Sequence, residues 1–134
     1  MGWRMFDEGE VGWPDPPPFR APVFVLIHHA REPWVRQGGT TFTFVTDGIE
    51  SALEQARAAA GDKDVRIAGG ADTVQQFIEA GLLDGLQLYL APVLLGDGVR
   101  LFDRVGPKHI ELENTRVIDS PRVTHLRYRV VKED

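Results

Sequence analysis

Two adjacent glycines, Gly69 and Gly70, are the residues of this chain best suited to hold a ligand. An apolar run at residues 65–68 precedes them, and apolar residues follow at helical spacing over residues 74–81. Adjacent glycines let the backbone turn sharply and approach a ligand closely. The first amides of the following helix lack partners inside it, which suits a phosphate. The spacing predicts a phosphate-binding turn or, as the alternative, a turn that only allows tight strand-to-helix packing.

The three residues after the glycines determine how well such a turn would bind an anion. The backbone amides of Ala71, Asp72 and Thr73 are the ones that would face a phosphate. The carboxylate of Asp72 counts against this interpretation, because it could cap the helix itself and repel an anion. Two glycines are also less specific than a complete dinucleotide fingerprint, so spacing alone leaves both interpretations open.

The elements around the turn follow the order strand, helix, strand. Residues 65–68 include β-branched members, and residues 86–90 alternate with period two. A parallel pair of strands needs a crossover of this kind. The stretch from residue 64 to residue 98 is therefore predicted to be a βαβ unit.

Two further strands and a helix are predicted before this unit. Residues 23–27 form a continuous apolar run, which is typical of a strand buried on both faces. Residues 41–46 alternate and predict a second strand. Asp47 followed by Glu50 predicts a capping box, and the helix that it opens is expected to end at Gly61.

Two histidines, His28 and His29, follow the first predicted strand. This is the end of a strand at which ligands gather in open α/β sheets. Adjacent strand residues point to opposite faces and no third ligand is near in the sequence, so no metal site is predicted. A hydrogen bond from either ring to a ligand phosphate and a solvated loop histidine are the two remaining interpretations.

The two ends of the chain carry different patterns. Residues 1–10 predict a short helix or turn docked on the body, and residues 11–22 contain five prolines, which favour an extended surface loop. Near the other end, residues 110–118 and 123–131 predict two strands joined as a hairpin. The polar side of the last strand would face either solvent or a subunit partner.

The composition is that of one globular domain over residues 1–134, in which residues 1–22 are a proline-rich N-terminal segment. A net charge of −5 argues against nucleic acid or an anionic membrane as a partner. There is no cysteine, and no apolar run is long enough to cross a membrane. We expect a cytoplasmic protein that acts on a small molecule.

The residue types point to no hydrolytic chemistry. No G-x-S-x-G sequence is present, and Ser51 and Ser120 fall in a predicted helix and a predicted turn. The carboxylates are scattered over caps and turns, so no catalytic residue is assigned. A nicotinamide cofactor would fit this set, because it brings its own hydride and needs mainly binding and orientation.

Several segments resemble the dihydrofolate reductase superfamily, in particular the branch similar to the C-terminal reductase domain of the bifunctional riboflavin-biosynthesis protein. Two of them are the turn at residues 2–6 and the strand at residues 23–27. The others are the glycine turn with its helix, at residues 69–84, and the stretch at residues 90–102. They occur in the family's order and together cover almost the whole chain.

The resemblance implies an NADPH-dependent reductase, often dimeric, with a small pterin-like, pyrimidine-like or other heterocyclic substrate. In the family, the cofactor phosphates lie on three segments. The residues that match them here are, in chain order, Gly2, Arg4, Met5, Ile27, His28, Gly69, Gly70, Ala71, Asp72 and Thr73. The resemblance also implies a homodimer.

Three departures from the family pattern bear on the cofactor. Trp3 stands where the family usually carries an arginine, so a charge-assisted contact to the adenosine 2′-phosphate is lost. Ile27 stands where a hydroxyl residue is common. The strand, helix and strand that open the family fold are absent before Gly2. The chain must therefore re-pair its strands, obtain cover from another copy, or be a cut or engineered version of a longer protein.

The expected fold is a three-layer α/β structure, similar to dihydrofolate reductase but N-terminally truncated. Its sheet would be mixed and mostly parallel, with flanking helices and a C-terminal antiparallel hairpin. The expected function is that of an NADPH-dependent reductase. The alternative is a non-catalytic or repurposed homo-oligomer, natural or engineered, that binds a small molecule. In that alternative an apolar pocket or interface would be lined by Trp3, Trp13, Trp34 and Tyr89.

Overall fold

The computed structural model describes residues 1–103 and 109–132. The chain divides into two compact units, Met1–Val74 and Gln75–Asp134, and the prediction of a single domain stays a prediction. Within the described residues, no helix combines the length and the apolar character that crossing a membrane needs. The helices are α1 Trp3–Glu10, α2 Ile49–Ala60 and α3 Ala71–Glu79. The strands are β1 Val23–Leu26, β2 Trp34–Val35, β3 Thr41–Val45, β4 Gly85–Leu90, β5 Leu112–Asp119 and β6 Thr124–Val130.

The sheet of the first unit has the order β1-β3-β2. Strand β1 runs parallel to β3, with Val23 opposite Phe42 and Leu26 opposite Val45, and β2 is antiparallel to β3. Both strands predicted in this region are confirmed to within one residue. The predicted burial of β1 on both faces is confirmed for Val25, which is fully buried, whereas its neighbours are half-buried.

The core of the first unit is an aromatic cluster around Phe6 of α1. Its ring is fully buried, and the ring centroids of Trp13, Trp34, Phe42 and Phe44 lie 5.1 to 6.2 Å from it. All four pairs are tilted or edge-to-face, the arrangement that aromatic quadrupoles favour. Burial of an aromatic side chain of this kind contributes about 1.5–3 kcal/mol. The cluster therefore fixes α1, which the sequence predicted, onto the sheet.

The aromatic residues of the alternative function are distributed over both units. Trp13 and Trp34 pack against the Phe6 core, and Trp3 lies with its ring centroid 5.8 Å from that of Phe6. Tyr89 belongs to β4 in the second unit, where it makes an edge-to-face contact with His125. Trp13 and Trp34 therefore serve packing within the first unit, whereas Trp3 and Tyr89 are 37% and 57% exposed, so the pocket or interface of the alternative stays a prediction.

Helix α2 confirms the predicted helix but not its predicted cap. The N-cap is Gly48, at a φ of +99°, with no side-chain hydrogen bond to the first turn. The helix begins one residue later than a capping box led by Asp47 requires, so the Asp47 prediction is wrong. Its end is as predicted, because Gly61 closes the helix at a φ of +63° and donates its N–H to the Arg57 carbonyl.

The predicted strand at residues 65–68 is wrong, because these residues lie outside every strand. An apolar run becomes a strand when a neighbouring backbone completes a ladder. Among the described residues, the backbone hydrogen bond made next to this run is the one from the Gly2 N–H to the Gly69 carbonyl. The βαβ unit is wrong for the same reason, since β4 pairs with β6 and the pairing is antiparallel.

The second unit holds an antiparallel sheet of order β4-β6-β5. The predicted C-terminal hairpin is confirmed, with Asp119 opposite Thr124 as the pair nearest the turn. Among the described strands one pairing of four is parallel, so the mixed α/β class is confirmed and a mostly parallel sheet is not. A connection as short as the one between β5 and β6 permits only an antiparallel pair. The three-layer arrangement and the truncation stay predictions.

Candidate functional site

The first two residues of the chain connect β1 to the glycine turn. The Leu26 N–H donates to the Met1 carbonyl at 2.9 Å, and Gly2 forms a parallel bridge with Leu26. On the other side, the Gly2 N–H donates to the Gly69 carbonyl at 2.8 Å. Met1 and Gly2 therefore occupy a strand position between β1 and the turn. Residues 1–2 are too few to show periodicity, so the sequence carried no signal for this pairing.

The amino group of Met1 also contacts β1. It donates to the Phe24 carbonyl at 3.0 Å, and its burial lowers the pKa of the α-amino group below its usual value. Desolvation disfavours the charged amine, whereas the hydrogen bond holds it against β1. The segment that precedes α1 is thus bound to β1 by its amino group and its carbonyl.

Gly2, Gly69, Gly70 and Thr73 meet at a site that we call the glycine corner. Gly69 has a φ of +117°, a conformation that other residues rarely adopt, and its peptide bond to Gly70 is cis. A methyl group on Gly2 would lie 2.5 Å from the Thr73 hydroxyl oxygen, so this side of the corner is closely packed. A methyl group on Gly70 would meet no atom within 4 Å, so the corner is open there.

Helix α3 starts at the open side of the corner. Its first hydrogen bond runs from the Val74 N–H to the Gly70 carbonyl at 3.1 Å, so the amides of Ala71, Asp72 and Thr73 precede the helical ladder. Amides in this position carry positive partial charge and suit a phosphate. The Asp72 carboxylate is in the same turn and is exposed, and its negative charge reduces the positive potential of these amides. The arrangement fits a cofactor phosphate.

The remaining candidate residues differ in how closely they approach the corner. The Met5 sulfur would lie 3.6 Å from a methyl group on Gly69, so Met5 packs against the turn. Ile27 follows β1, is half-buried and donates its N–H to the Val45 carbonyl at 3.0 Å. Arg4 and His28 are exposed, and within the described residues their side chains form no ion pair or hydrogen bond. The structure therefore brings Met5 to the turn and leaves Arg4 and His28 available to a ligand.

Arg31 is a charged residue near the end of β1 that the sequence analysis missed. Its guanidinium lies over two rings, 5.2 Å from the Phe6 centroid and 4.9 Å from the Phe44 centroid. It also pairs with Glu10 of α1, and this hydrogen-bonded ion pair lowers the pKa of the Glu10 carboxyl. No spacing signal joins two residues 21 positions apart. Among the described residues, no three acidic or histidine side chains are grouped to hold a metal ion.

Comparison with known proteins shows to which family this sequence is similar. The model of the family described as the RibD C-terminal domain matches residues 7–126. An uncharacterized Bacillus subtilis protein, YyaP, is 35% identical over 78 residues, which are 58% of this chain and 41% of that protein. The riboflavin biosynthesis protein RibD of Corynebacterium ammoniagenes is 45% identical over 51 residues, 38% of this chain and 15% of that protein. The chain thus spans less than half the length of either relative.

A solved structure shows the same fold. The crystal structure of a riboflavin biosynthesis protein from Shewanella sp. PV-4 superposes with a TM-score of 0.73 over 98% of this chain and 72% of that one, at 23% identity. The glycine turn lies inside the range matched by the family model, whereas Gly2, Arg4 and Met5 lie before it. The resemblance found in the sequence is confirmed, and the chain belongs to the RibD C-terminal domain family.

Proposed function

We propose that this chain is a reductase domain that binds NADPH at the glycine corner and transfers its hydride to a small heterocyclic substrate. Membership of the RibD C-terminal domain family supports a reductase role in riboflavin biosynthesis. The relatives differ in length from this chain, so the substrate, of pterin or pyrimidine type, is part of the proposal.

One observation carries the cofactor proposal: the corner is open at Gly70, directly before the first turn of α3. The pyrophosphate would lie against Gly69 and Gly70 and accept hydrogen bonds from the amides of Ala71 and Thr73. Arg4 and His28, which are exposed, would be secondary contacts. Bound NADPH would supply the hydride, while these residues bind and orient it.

The walls of the corner would exclude other positions of the cofactor. Gly2 and Thr73 are in close contact on one side, and the Met5 side chain covers the back of Gly69. Of the residues that form the corner, Gly70 has open space next to it, so a phosphate would approach from the Gly70 side. Substitution at Gly70 is then the change that blocks the site without disturbing a contact of the free protein.

Calorimetric titration with NADPH tests the proposal on the parent chain and on Gly70→Val. We expect binding by the parent and a loss of at least about tenfold in affinity for the variant, since side-chain methyl groups would occupy the phosphate position. Gly12→Val is the matched control, because a methyl group at Gly12 meets nothing closer than the Gly9 carbonyl at 3.9 Å. It should bind as the parent does.

Two results would contradict this assignment. One is the absence of heat on titration of the folded parent with NADPH at millimolar concentration. The other is equal affinity in the parent and in Gly70→Val. Circular dichroism melting of each variant establishes that the compared proteins are folded. Oxidation of bound NADPH, followed by its absorbance with pterin and pyrimidine substrates, then tests the reductase step.

A further inference from the structure

One face of the second unit's sheet, β4-β6-β5, carries three polar side chains in a row across the strands. Gln87 of β4 stands opposite Arg127 of β6, and Arg127 stands opposite Arg116 of β5. Residues directly opposite one another have Cβ atoms about 4.5–5.5 Å apart, so the three side chains are neighbours. This row therefore brings two guanidinium groups and one amide together on one face, and all three side chains are exposed.

A β-bulge in β5 is the reason that Arg116 belongs to this row. The register shifts between Asn114 and Arg116, so Thr115 is an extra residue in the ladder. The Thr115 hydroxyl donates to the Arg127 carbonyl at 3.0 Å, which holds the bulge in place. Without the extra residue, Arg116 would point to the opposite face of the sheet. Bulges often re-aim a side chain in this way next to a functional site.

The two guanidinium groups of the row have no counter-charge in the described part of the chain. Neither Arg116 nor Arg127 forms an ion pair there, and the Gln87 amide has no hydrogen-bond partner there. The carboxylate of Glu113 is already paired with Arg129. Like charges directly opposite one another destabilise a pair of strands. An anion between the two guanidinium groups would replace this repulsion with two attractions.

A second row on the same face lies two residues further along each strand and is less polar. In it, Tyr89 of β4 and Ile118 of β5 flank His125 of β6. The Tyr89 ring is edge-to-face with the imidazole, with the centroids 5.0 Å apart. A rise of about 3.3 Å per residue sets the second row about 7 Å from the first. It thus offers an aromatic ring and an aliphatic side chain to the organic part of a ligand whose anionic group lies on the first row.

A cavity of about 60 Å³ lies where the two rows meet. Both rows line it, with Gln87, Arg116 and Arg127 from the first and His125 and Ile118 from the second. Its volume is that of about two water molecules, at about 30 Å³ each. A compact anionic group fits a cavity of this size, whereas a whole nucleotide does not.

We propose that this cavity binds the phosphate group of a small phosphate monoester, whose organic group lies against Tyr89 and Ile118. A phosphate monoester carries about −1.5 to −2 charges at pH 7 and three acceptor oxygens. It can therefore accept charge-assisted hydrogen bonds from both guanidinium groups. A carboxylate, with a single charge, would leave one of them uncompensated. The glycine corner belongs to the first unit, so this proposal does not rest on the cofactor assignment.

Calorimetric titration of the whole chain with phenyl phosphate tests the site, at constant ionic strength because salt screens exposed charges. We expect binding by the parent and a loss of at least about tenfold in affinity for Arg116→Gln and for Arg127→Gln, since each removes a charge-assisted contact. Arg122→Gln makes the same change in the exposed hairpin turn and should bind as the parent does. Neither variant of the row should melt below the parent, because each removes a repulsion between opposite residues.

Two further ligands show which part of the ester is recognised. Inorganic phosphate lacks the ring, and benzoate has the ring with a single negative charge, so each should bind at least about tenfold more weakly than phenyl phosphate. Gly70→Val, whose substitution lies in the glycine corner, should keep the parent's affinity for phenyl phosphate. Equal affinity of the parent and Arg116→Gln for phenyl phosphate overturns the proposal, as does equal affinity of the parent for phenyl phosphate and either of the other two ligands. Loss of phenyl phosphate binding in Gly70→Val also overturns it.

Discussion

Trp3 occupies the position at which the family resemblance leads us to expect an arginine that contacts the cofactor. It is the first residue of α1, directly after Gly2, and is 37% exposed. We predict that Trp3→Arg raises the affinity for NADPH relative to NADH by about tenfold, because a guanidinium can form a charge-assisted contact with the 2′-phosphate. Competitive titration of the two cofactors measures the ratio. Trp3→Leu removes the ring without adding charge, and an equal change in that variant would contradict the explanation.

Gly2 tests the packing of the corner itself. A methyl group there would lie 2.5 Å from the buried Thr73 hydroxyl, so Gly2→Ala should lower the free energy of unfolding by about 1–3 kcal/mol. Thr73→Ala removes the clashing atom. The double variant should then be less destabilised than the sum of the two single variants by at least about 0.5 kcal/mol in urea denaturation. Additive effects would mean that Gly2 and Thr73 are not in contact.

At the scale of single residues, the sequence allowed part of the candidate site to be predicted. The glycine pair was identified from residue type, because a turn of this kind needs φ values that side chains disfavour, and Gly69 has such a value. Gly2 entered only through the family resemblance, since its role depends on backbone hydrogen bonds that carry no side-chain signal. Arg31 was missed, because its contacts with Phe6 and Glu10 are made through the folded chain.

The ion pair between Glu10 of α1 and Arg31, in the segment after β1, makes the free energy of unfolding depend on pH. The hydrogen bond from Arg31 lowers the pKa of Glu10 from its usual value of about 4.5. The pair therefore stabilises the folded state fully above that value, and its contribution is lost as pH falls through the folded pKa. We predict that Glu10→Gln lowers stability by about 0.5–1 kcal/mol near pH 7 and makes little difference at pH 2.

Urea denaturation of the parent and Glu10→Gln between pH 2 and pH 7 measures this difference. Glu8→Gln is the matched control, because Glu8 is an exposed carboxylate of the same helix without an ion pair among the described residues. It should follow the parent at every pH. If the difference in free energy of unfolding between the parent and Glu10→Gln stayed constant from pH 2 to pH 7, the charge of the Glu10 carboxylate would not contribute to its contact with Arg31.

The elements that were predicted correctly are those with a pattern of their own. The aromatic and β-branched alternation of β3 and the apolar face of α2 each identify a surface that must be buried. Residues 65–68 have the composition of a strand, but a strand also needs a paired neighbour, and neighbours are determined by the fold. The N-cap predicted at Asp47 is wrong by one residue, because the helix begins after Gly48, whose φ is +99°.

At the scale of the whole molecule, the class of fold was predictable and the pairing of strands was not. The hairpin of β5 and β6 followed from local signals, since a short connection joins adjacent strands. Strand β4 was expected to pair in parallel with a strand at residues 65–68, whereas it pairs antiparallel with β6. Both partners have strand-like sequences, so the sequence offered no means to choose between them.

NADPH should stabilise the folded molecule if it binds at the glycine corner. A ligand that binds only the folded state adds RT ln(1 + [L]/Kd), about 2.7 kcal/mol at one hundred times its Kd. We predict that Gly12→Val keeps the rise in melting temperature caused by NADPH, whereas Gly70→Val loses it, because a side chain at Gly70 would occupy the position of the phosphate. Thermal melts of the parent and both variants, with and without NADPH, measure this rise. An equal rise in the parent and in Gly70→Val would contradict the assignment of the phosphate site to the glycine corner.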